Sequence, residues 1–379
     1  MSALTLSEDQ VRWFRARRGH LIGPGAPDAV AAARELLGAQ SQVLEPSLHA
    51  LSLRTAGRPT AAALKALLFE APRSLVRTWG PRETVHLYDP ADWRQVVAAR
   101  EEWSRAGRRG ALATHAMLDE AVALARGLEA APDRRELMPS VREPFERELD
   151  EIALGARQEP RYFAAGRLVF GMSMRGDVSA GLKRGSTQTY PLRERWYPEL
   201  PWPPLGAREA NLALTRRYLS LCGPATPQDV AHYFGAKVSS ARAWLAALEA
   251  ELLTVRCGEL TLSALRRDEA ALREAVGEWT VRLLPKFDTL LMGHADKRWT
   301  APVEAERKQI WKKAAVVCAT VLRRGAIVAT WSHKARKRDV TVTVTPLTGW
   351  SAALLPEVEA EARALAAHLG RQEAHVIVG

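Results

Sequence analysis

Two glutamines with a single residue between them, Gln40 and Gln42, stand between the end of one helical pattern and the start of the next. The stretch reads Leu36-Leu37-Gly38-Ala39-Gln40-Ser41-Gln42-Val43-Leu44-Glu45-Pro46. A side-chain amide is both donor and acceptor, but it is no base near neutral pH. Two of them on an ordered joint can orient a water molecule and turn dipoles toward a developing positive charge. Polar residues at a helix boundary also serve as caps, and spacing alone leaves both roles open.

The joint needs elements on either side to hold it. Upstream, residues 28–37 carry Val30, Ala33, Leu36 and Leu37 at helical spacing, and Gly38 suits a left-handed stop. Downstream, Pro46 fits the first turn of a helix that should bury Leu48, Leu51 and Leu53. Ahead of both, Ser7 and Gln10 have capping-box spacing for a helix with Val11 and Phe14 on its apolar face, ending near Gly19. Arg58-Pro59-Thr60 starts another helix, with Leu64, Leu67 and Leu68 on one side. Residues 73–79 and 82–88 then read as two strands around a Gly80-Pro81 turn. Helix, helix, helix, hairpin is the order of a winged helix, which places one helix in the major groove and leaves the hairpin to touch backbone or minor groove.

Two further units follow. Residues 90–156 read as helical and charged, with Trp93, Val96 and Val97 in one segment and Val141, Phe145, Leu149 and Ile152 in another. Residues 163–174 then read as a strand, residues 189–192 as its returning partner, and the basic, glycine-rich 175–185 as the wing between them. Gly176, Gly181 and Gly185 lack the spacing of a phosphate loop. Residues 198–204, with four prolines and Trp202, read as a rigid linker. The third unit has the clearest punctuation: Thr226 as N-cap with Pro227 after it, a helix ending near Gly235, and a second helix carrying Ala241, Trp244, Leu245 and Leu248. Residues 253–256 and 260–262 make a short hairpin behind it.

The last hundred residues change character. Residues 327–331 and 340–344 read as strands, the second alternating Val340, Val342 and Val344 with Thr341, Thr343 and Thr345. Between them runs Ser332-His333-Lys334-Ala335-Arg336-Lys337-Arg338. So many cations on a hairpin tip repel one another unless a phosphate backbone meets them. His333, Lys334, Arg336, Lys337 and Arg338 are therefore the expected DNA contacts. The expected division is 1–135, 136–205, 206–265 and 266–379, the first three each a winged helix. The fold class is mainly α with small β-hairpins.

Composition sets outer bounds. Lys plus Arg number 54 against 43 Asp plus Glu, a net charge of +11 that favours a polyanionic partner. The three cysteines, Cys222, Cys257 and Cys318, are far apart, and the nine histidines are scattered. Neither a zinc site nor a disulfide framework is expected, and no metal or cofactor. The first residues lack a basic segment followed by an apolar core, and no apolar run reaches membrane-spanning length, so the expectation is a monomer in the cytoplasm, associated with the nucleoid.

Taken together, Gln40-Ser41-Gln42 with Pro46, the run from Arg77-Thr78-Trp79-Gly80-Pro81-Arg82 to Leu87, Gly223-Pro224-Ala225-Thr226-Pro227-Gln228-Asp229, the run Leu284-Pro285-Lys286-Phe287-Asp288 to Gly293, and the Trp331 hairpin resemble one family. It is the tandem winged-helix DNA glycosylases, in the azinomycin-resistance-glycosylase-like, Gln-x-Gln branch. The resemblance spans nearly the whole chain. It implies winged helices in a C-shaped arrangement around double-stranded DNA, and monofunctional release of N-alkylated purines, including crosslinked ones. Residue by residue, Gln40 and Gln42 match the catalytic pair, whereas Ser41 stands where the family usually has an aliphatic side chain.

That chemistry agrees with the residues. A 7-alkylguanine already carries positive charge and leaves without being protonated, so positioning water and stabilising an oxocarbenium-like sugar lie within an amide's capacity. No lysine in the joint offers an amine nucleophile. A winged-helix transcriptional regulator whose glutamines only cap is the alternative reading. An architectural or RNA-binding protein would share the charge without needing the glutamine joint.

Overall fold

The computed structural model describes residues 3–103, 113–141, 160–313 and 315–379. Helix α1 (Glu8–Arg18) opens with the expected capping box: the Ser7 hydroxyl accepts from the Gln10 N–H, and the Gln10 carboxamide oxygen accepts from the Ser7 N–H. Helix α2 (Ala29–Glu35) is capped by Asp28, and Leu37 and Gly38 then turn the chain with φ of 54° and 84°. Gly38 is needed for a second reason, since a Cβ there would lie 2.3 Å from the Tyr88 ring. Strand β1 (Ala39–Gln40) leads into α3 (Leu44–Arg54), which buries Leu48, Leu51 and Leu53 as expected. Helix α4 (Ala61–Phe69) starts at Thr60 and buries Leu64 and Leu68.

Strands β2 (Val76–Trp79) and β3 (Val85–Tyr88) form the anticipated hairpin, but it is no free wing. Strand β1 joins it, giving the order β1-β3-β2, and all four residues of β3 are buried. A strand covered on both faces carries side chains that suit burial at every position, and Val85, His86, Leu87 and Tyr88 fit that rule better than an alternating wing.

Helix α5 (Pro90–Ala99) begins at Asp89 with proline in its first turn and buries Trp93. Helix α6 (His115–Gly127) follows; the expected segment with Phe145, Leu149 and Ile152 lies outside the described residues. The strand expected at 163–174 is instead part of helix α7 (Pro160–Arg175). Buried Ala164, Ala165, Leu168, Val169 and Met172 recur at the spacing of a helical stripe, which outweighs the local aromatic and β-branched content. The hairpin after it is short, β4 (Lys183–Arg184) with β5 (Thr187–Gln188). The proline-rich stretch is not a free linker: the Trp202 ring meets Trp93 edge-on with centroids 5.5 Å apart, and Arg193 lies 4.2 Å over it.

Helix α8 (Ala207–Cys222) was not anticipated, although its buried Ala210, Leu214, Tyr218 and Leu221 mark one face. Helices α9 (Pro227–Phe234) and α10 (Val238–Ala247) with strands β6 (Leu252–Cys257) and β7 (Leu260–Leu265) reproduce the third unit. It includes the Thr226 cap and a left-handed Gly235. One hydrophobic core draws on both residues 26–103 and residues 197–265, with Trp93, Tyr218, Phe234 and Trp244 inside it.

The C-terminal region is a five-stranded sheet. Strands β8 (Arg282–Leu284), β9 (Ala319–Arg323), β10 (Ala326–Ala335), β11 (Asp339–Pro346) and β12 (Glu373–Val378) take the order β12-β11-β10-β9-β8, with β12 parallel to β11. Val340, Val342 and Val344 are buried in one core with Val358, Ala362 and Leu365 of helix α11 (Leu355–His368), and Thr343 and Thr345 are exposed. The alternation expected for β11 is therefore present. Among the described residues no helix is long and apolar enough to cross a membrane.

Candidate functional site

Gln40 pairs with His86 across the β1–β3 ladder, and Ser41 continues the pairing by donating its N–H to the Val85 carbonyl at 2.6 Å. The same Val85 donates its own N–H to Gln42 Oε1 at 3.1 Å. Gln40 is 8% exposed, and its Oε1 accepts from Arg82 Nη2 at 3.0 Å. Each amide is thus anchored through its oxygen, so the donor decides which end of the amide is which. Neither side-chain NH2 group makes a hydrogen bond among the described residues. Each oxygen also retains a second lone pair. The pair is therefore not a set of helix caps: Val43 is the N-cap of α3, and no side chain bonds there.

Arg82 reaches Gln40 from the turn of the β2–β3 hairpin, where Arg82 and Glu83 adopt φ of 59° and 57°. Its other terminal nitrogen donates to the Tyr233 carbonyl on α9, and the guanidinium lies 5.4 Å from the Tyr233 ring centroid. Burial pulls the Arg82 pKa below its usual value, and no carboxylate bonds to it among the described residues. Next to it, burial and then the Arg82 charge push the His86 imidazole down to about 3, and its Nδ1 lies 2.9 Å from the Thr84 carbonyl. A ring held neutral in this way is not protonated at neutral pH, so it supplies no general acid.

Ser41 is fully buried. Its hydroxyl accepts from Ser47 Oγ at 2.8 Å and from Arg77 Nε at 3.1 Å, while Arg77 Nη2 donates to the Ser41 carbonyl at 2.9 Å. Arg77 Nη1 reaches on to Gln188 Oε1 at 3.0 Å, tying the joint to strand β5. A hydroxyl in place of an aliphatic side chain is thus matched by polar partners, as a buried polar group requires.

The basic hairpin is a separate site. Strand β10 continues through Ser332-His333-Lys334-Ala335, paired with 340–343 of β11, so only Arg336, Lys337 and Arg338 form the turn. His333, Lys334, Arg336, Lys337 and Arg338 are all exposed, and among the described residues none of the four long cations forms an ion pair. Although His333 is exposed overall, one face of its ring lies against Trp331, and this partial desolvation, then nearby Lys286, lowers its pKa. Helix α3 links this hairpin to the glutamines. Arg54 at its end makes a bidentate pair with Asp288 at 2.7 and 2.8 Å, with both side chains almost fully buried. Midway, the His49 ring meets Trp331 at the root of the hairpin, centroids 5.9 Å apart.

Sequence reasoning placed Gln40 and Gln42 on one joint and the five hairpin residues on another element, and the structure keeps that separation. It missed the roles of Arg77, Arg82, Val85 and His86, although all four lie in one of the stretches that carry the resemblance. The available signal was a hairpin two helices after a polar joint that lacked a partner strand. No group of three or more His, Cys, Asp or Glu that could hold a metal occurs among the described residues.

A family model described as "DNA glycosylase AlkZ-like" matches residues 33–368. The chain is 22% identical, over 96% of its length and 95% of the relative's, to an interstrand DNA cross-link repair glycosylase of Streptomyces sahachiroi. It also matches the solved structure of the Streptomyces sahachiroi DNA glycosylase AlkZ, with a TM-score of 0.82 and 21% identity over 99% of this chain and all of that one. At that identity the structural match supports the fold.

Proposed function

Since the chain belongs to the AlkZ-like DNA glycosylases, hydrolases of N-glycosyl bonds in DNA, we propose that it is a monofunctional enzyme releasing N-alkylated, cationic purines such as 7-alkylguanine, with Gln40 and Gln42 as its catalytic pair. The observation that carries this reading is the anchoring of both amides by their oxygens on one hairpin, which leaves two preoriented NH2 groups and two spare lone pairs. Preorganised dipoles of this kind can hold a water and answer the charge that develops on the sugar. They suit a leaving group that is already positive, because His86 stays neutral and no carboxylate bonds to either glutamine among the described residues.

In this reading His333, Lys334, Arg336, Lys337 and Arg338 grip the DNA backbone, and residues 1–135, 136–205 and 206–265 act as successive winged-helix units of a monomer. The name of the Streptomyces sahachiroi relative brings interstrand crosslinks into the proposal: the enzyme unhooks them by cutting the glycosidic bond of the crosslinked purine and leaves an abasic site for base excision repair. The test is a duplex with a single 7-methylguanine. Free 7-methylguanine and a heat-labile abasic site without strand cleavage are expected. An intact lesion after prolonged incubation with excess protein would remove 7-alkylguanine from the substrate class.

A further inference from the structure

We infer that Arg82 is a positioning residue of the reaction: by holding the Gln40 amide oxygen it makes Gln40 a hydrogen-bond donor to the departing purine, and leaves the handling of the water to Gln42. The inference rests on the reading of Gln40 and Gln42 as catalytic.

The asymmetry between the two amides supports it. Gln42 Oε1 takes a bond from a neutral peptide N–H, whereas Gln40 Oε1 takes one from a cation at 3.0 Å. A charge-assisted bond draws electron density toward the oxygen, which weakens the amide's remaining lone pair as an acceptor and strengthens its NH2 as a donor. A departing 7-alkylguanine gains electron density at its ring nitrogens and carbonyl as the bond breaks, so a donor is what that side of the reaction needs. The attacking water needs a hydrogen-bond acceptor to orient it, which the less polarised Gln42 oxygen supplies, and its proton passes to solvent as the sugar–oxygen bond forms and the purine leaves with the electron pair of the glycosidic bond. Gln42 is exposed and Gln40 nearly buried, as expected for groups that meet solvent and base respectively.

The fold is arranged around the guanidinium. Two consecutive non-glycine residues, Arg82 and Glu83, are held at positive φ to turn the side chain inward. One glycine makes room: a Cβ on Gly235 would stand 3.1 Å from the Arg82 Cα. The second bond, to the Tyr233 carbonyl, fixes the remaining end of the fork on α9.

The experiment is single-turnover release of 7-methylguanine by Arg82→Met, Gln40→Ala, the double variant, Gln40→Glu and Gln42→Glu, each checked by melting and by binding to undamaged duplex. Arg82→Met should slow release about 10- to 100-fold with unchanged DNA affinity, the scale of losing one oriented dipole. Adding it to Gln40→Ala should slow release by no more than about threefold further, since the two act as a unit. Gln40→Glu pairs with Arg82 and folds but has no NH2, so it should be as slow as Gln40→Ala. Gln42→Glu keeps its acceptor and should stay within about tenfold of the parent. Parental activity in Arg82→Met or Gln40→Glu, beside a slow Gln40→Ala, overturns the inference alone. Parental activity in Gln40→Ala overturns the catalytic reading beneath it. Should Arg82→Met fail to fold, the two Gln→Glu variants decide the matter.

Discussion

Ser41 lies between the two glutamines, and restoring an aliphatic residue there should disturb the protein through Arg77. In Ser41→Ala the hydroxyl's two incoming bonds disappear, but neither donor is stranded. Ser47 Oγ keeps the Leu44 carbonyl at 2.6 Å, and Arg77 keeps the Ser41 carbonyl and Gln188. The loss is then that of two net hydrogen bonds, about 1–2 kcal/mol. Ser41→Val adds branched bulk at a position with no exposed surface, against a guanidinium that cannot back away without leaving Gln188, so about 2–4 kcal/mol is expected. In an Arg77→Met background the clash and the broken charge-assisted bond are both gone, and Ser41→Val should there cost at least about 1 kcal/mol less. Urea unfolding of the four proteins, with m unchanged, reads this cycle. Additive effects, or a Ser41→Val variant as stable as the parent, would refute the idea that Arg77 is what makes serine the fitting residue.

Three further outcomes follow from other parts of the molecule. Arg54→Met or Asp288→Asn breaks a buried bidentate pair and leaves a charge unmatched, so each should lower unfolding stability by about 3–5 kcal/mol, seen as a lower urea midpoint; the pair joins α3 to the C-terminal region, and a small effect would mean that this junction is loose. Stability should also fall with acid. His86 and His294 are pulled down to about 3 by burial while the unfolded chain binds protons near 6.5, so their contribution is complete above pH 6.5 and shrinks as pH falls toward 3. The slope is about 1.4 kcal/mol per pH unit for each, and thermal melts that are flat from pH 7 to 5 would contradict it. On DNA, about five phosphate contacts give a slope of log K against log salt of roughly −4 to −5, and replacing Lys334, Arg336, Lys337 and Arg338 with alanine should remove roughly three to four units of it on any sequence. A slope unchanged by the replacement would place the DNA elsewhere.

What was legible in the sequence was local. The Ser7, Thr60 and Thr226 helix starts, the Gly38 and Gly235 stops, and the valine–threonine alternation of 340–345 act over a few residues, and each is present. Periodicity misled at 163–174, where aromatic and β-branched residues resemble a strand unless the i, i+4, i+8 stripe of Ala164, Leu168 and Met172 is followed for its full length. Long-range partners left no periodic trace. That Arg82 would close on a residue 42 positions earlier, or Arg54 on one 234 positions later, depends on packing that no local window contains. The candidate glutamines could therefore be found by spacing and resemblance, while the groups that orient them became visible only once β1 was seen to pair with the β2–β3 hairpin.

The central claim is that Gln40 and Gln42 act on the chemistry and not on the hold on DNA. It is tested most directly by single-turnover excision of 7-methylguanine from a duplex by Gln40→Ala and Gln42→Ala. With melting and duplex affinity at parental values, each should release base about ten- to several-hundredfold more slowly, and the double variant should lose less than the product of the two. Excision at the parental rate by both single variants, correctly folded, would contradict the account and leave the pair as a helix joint.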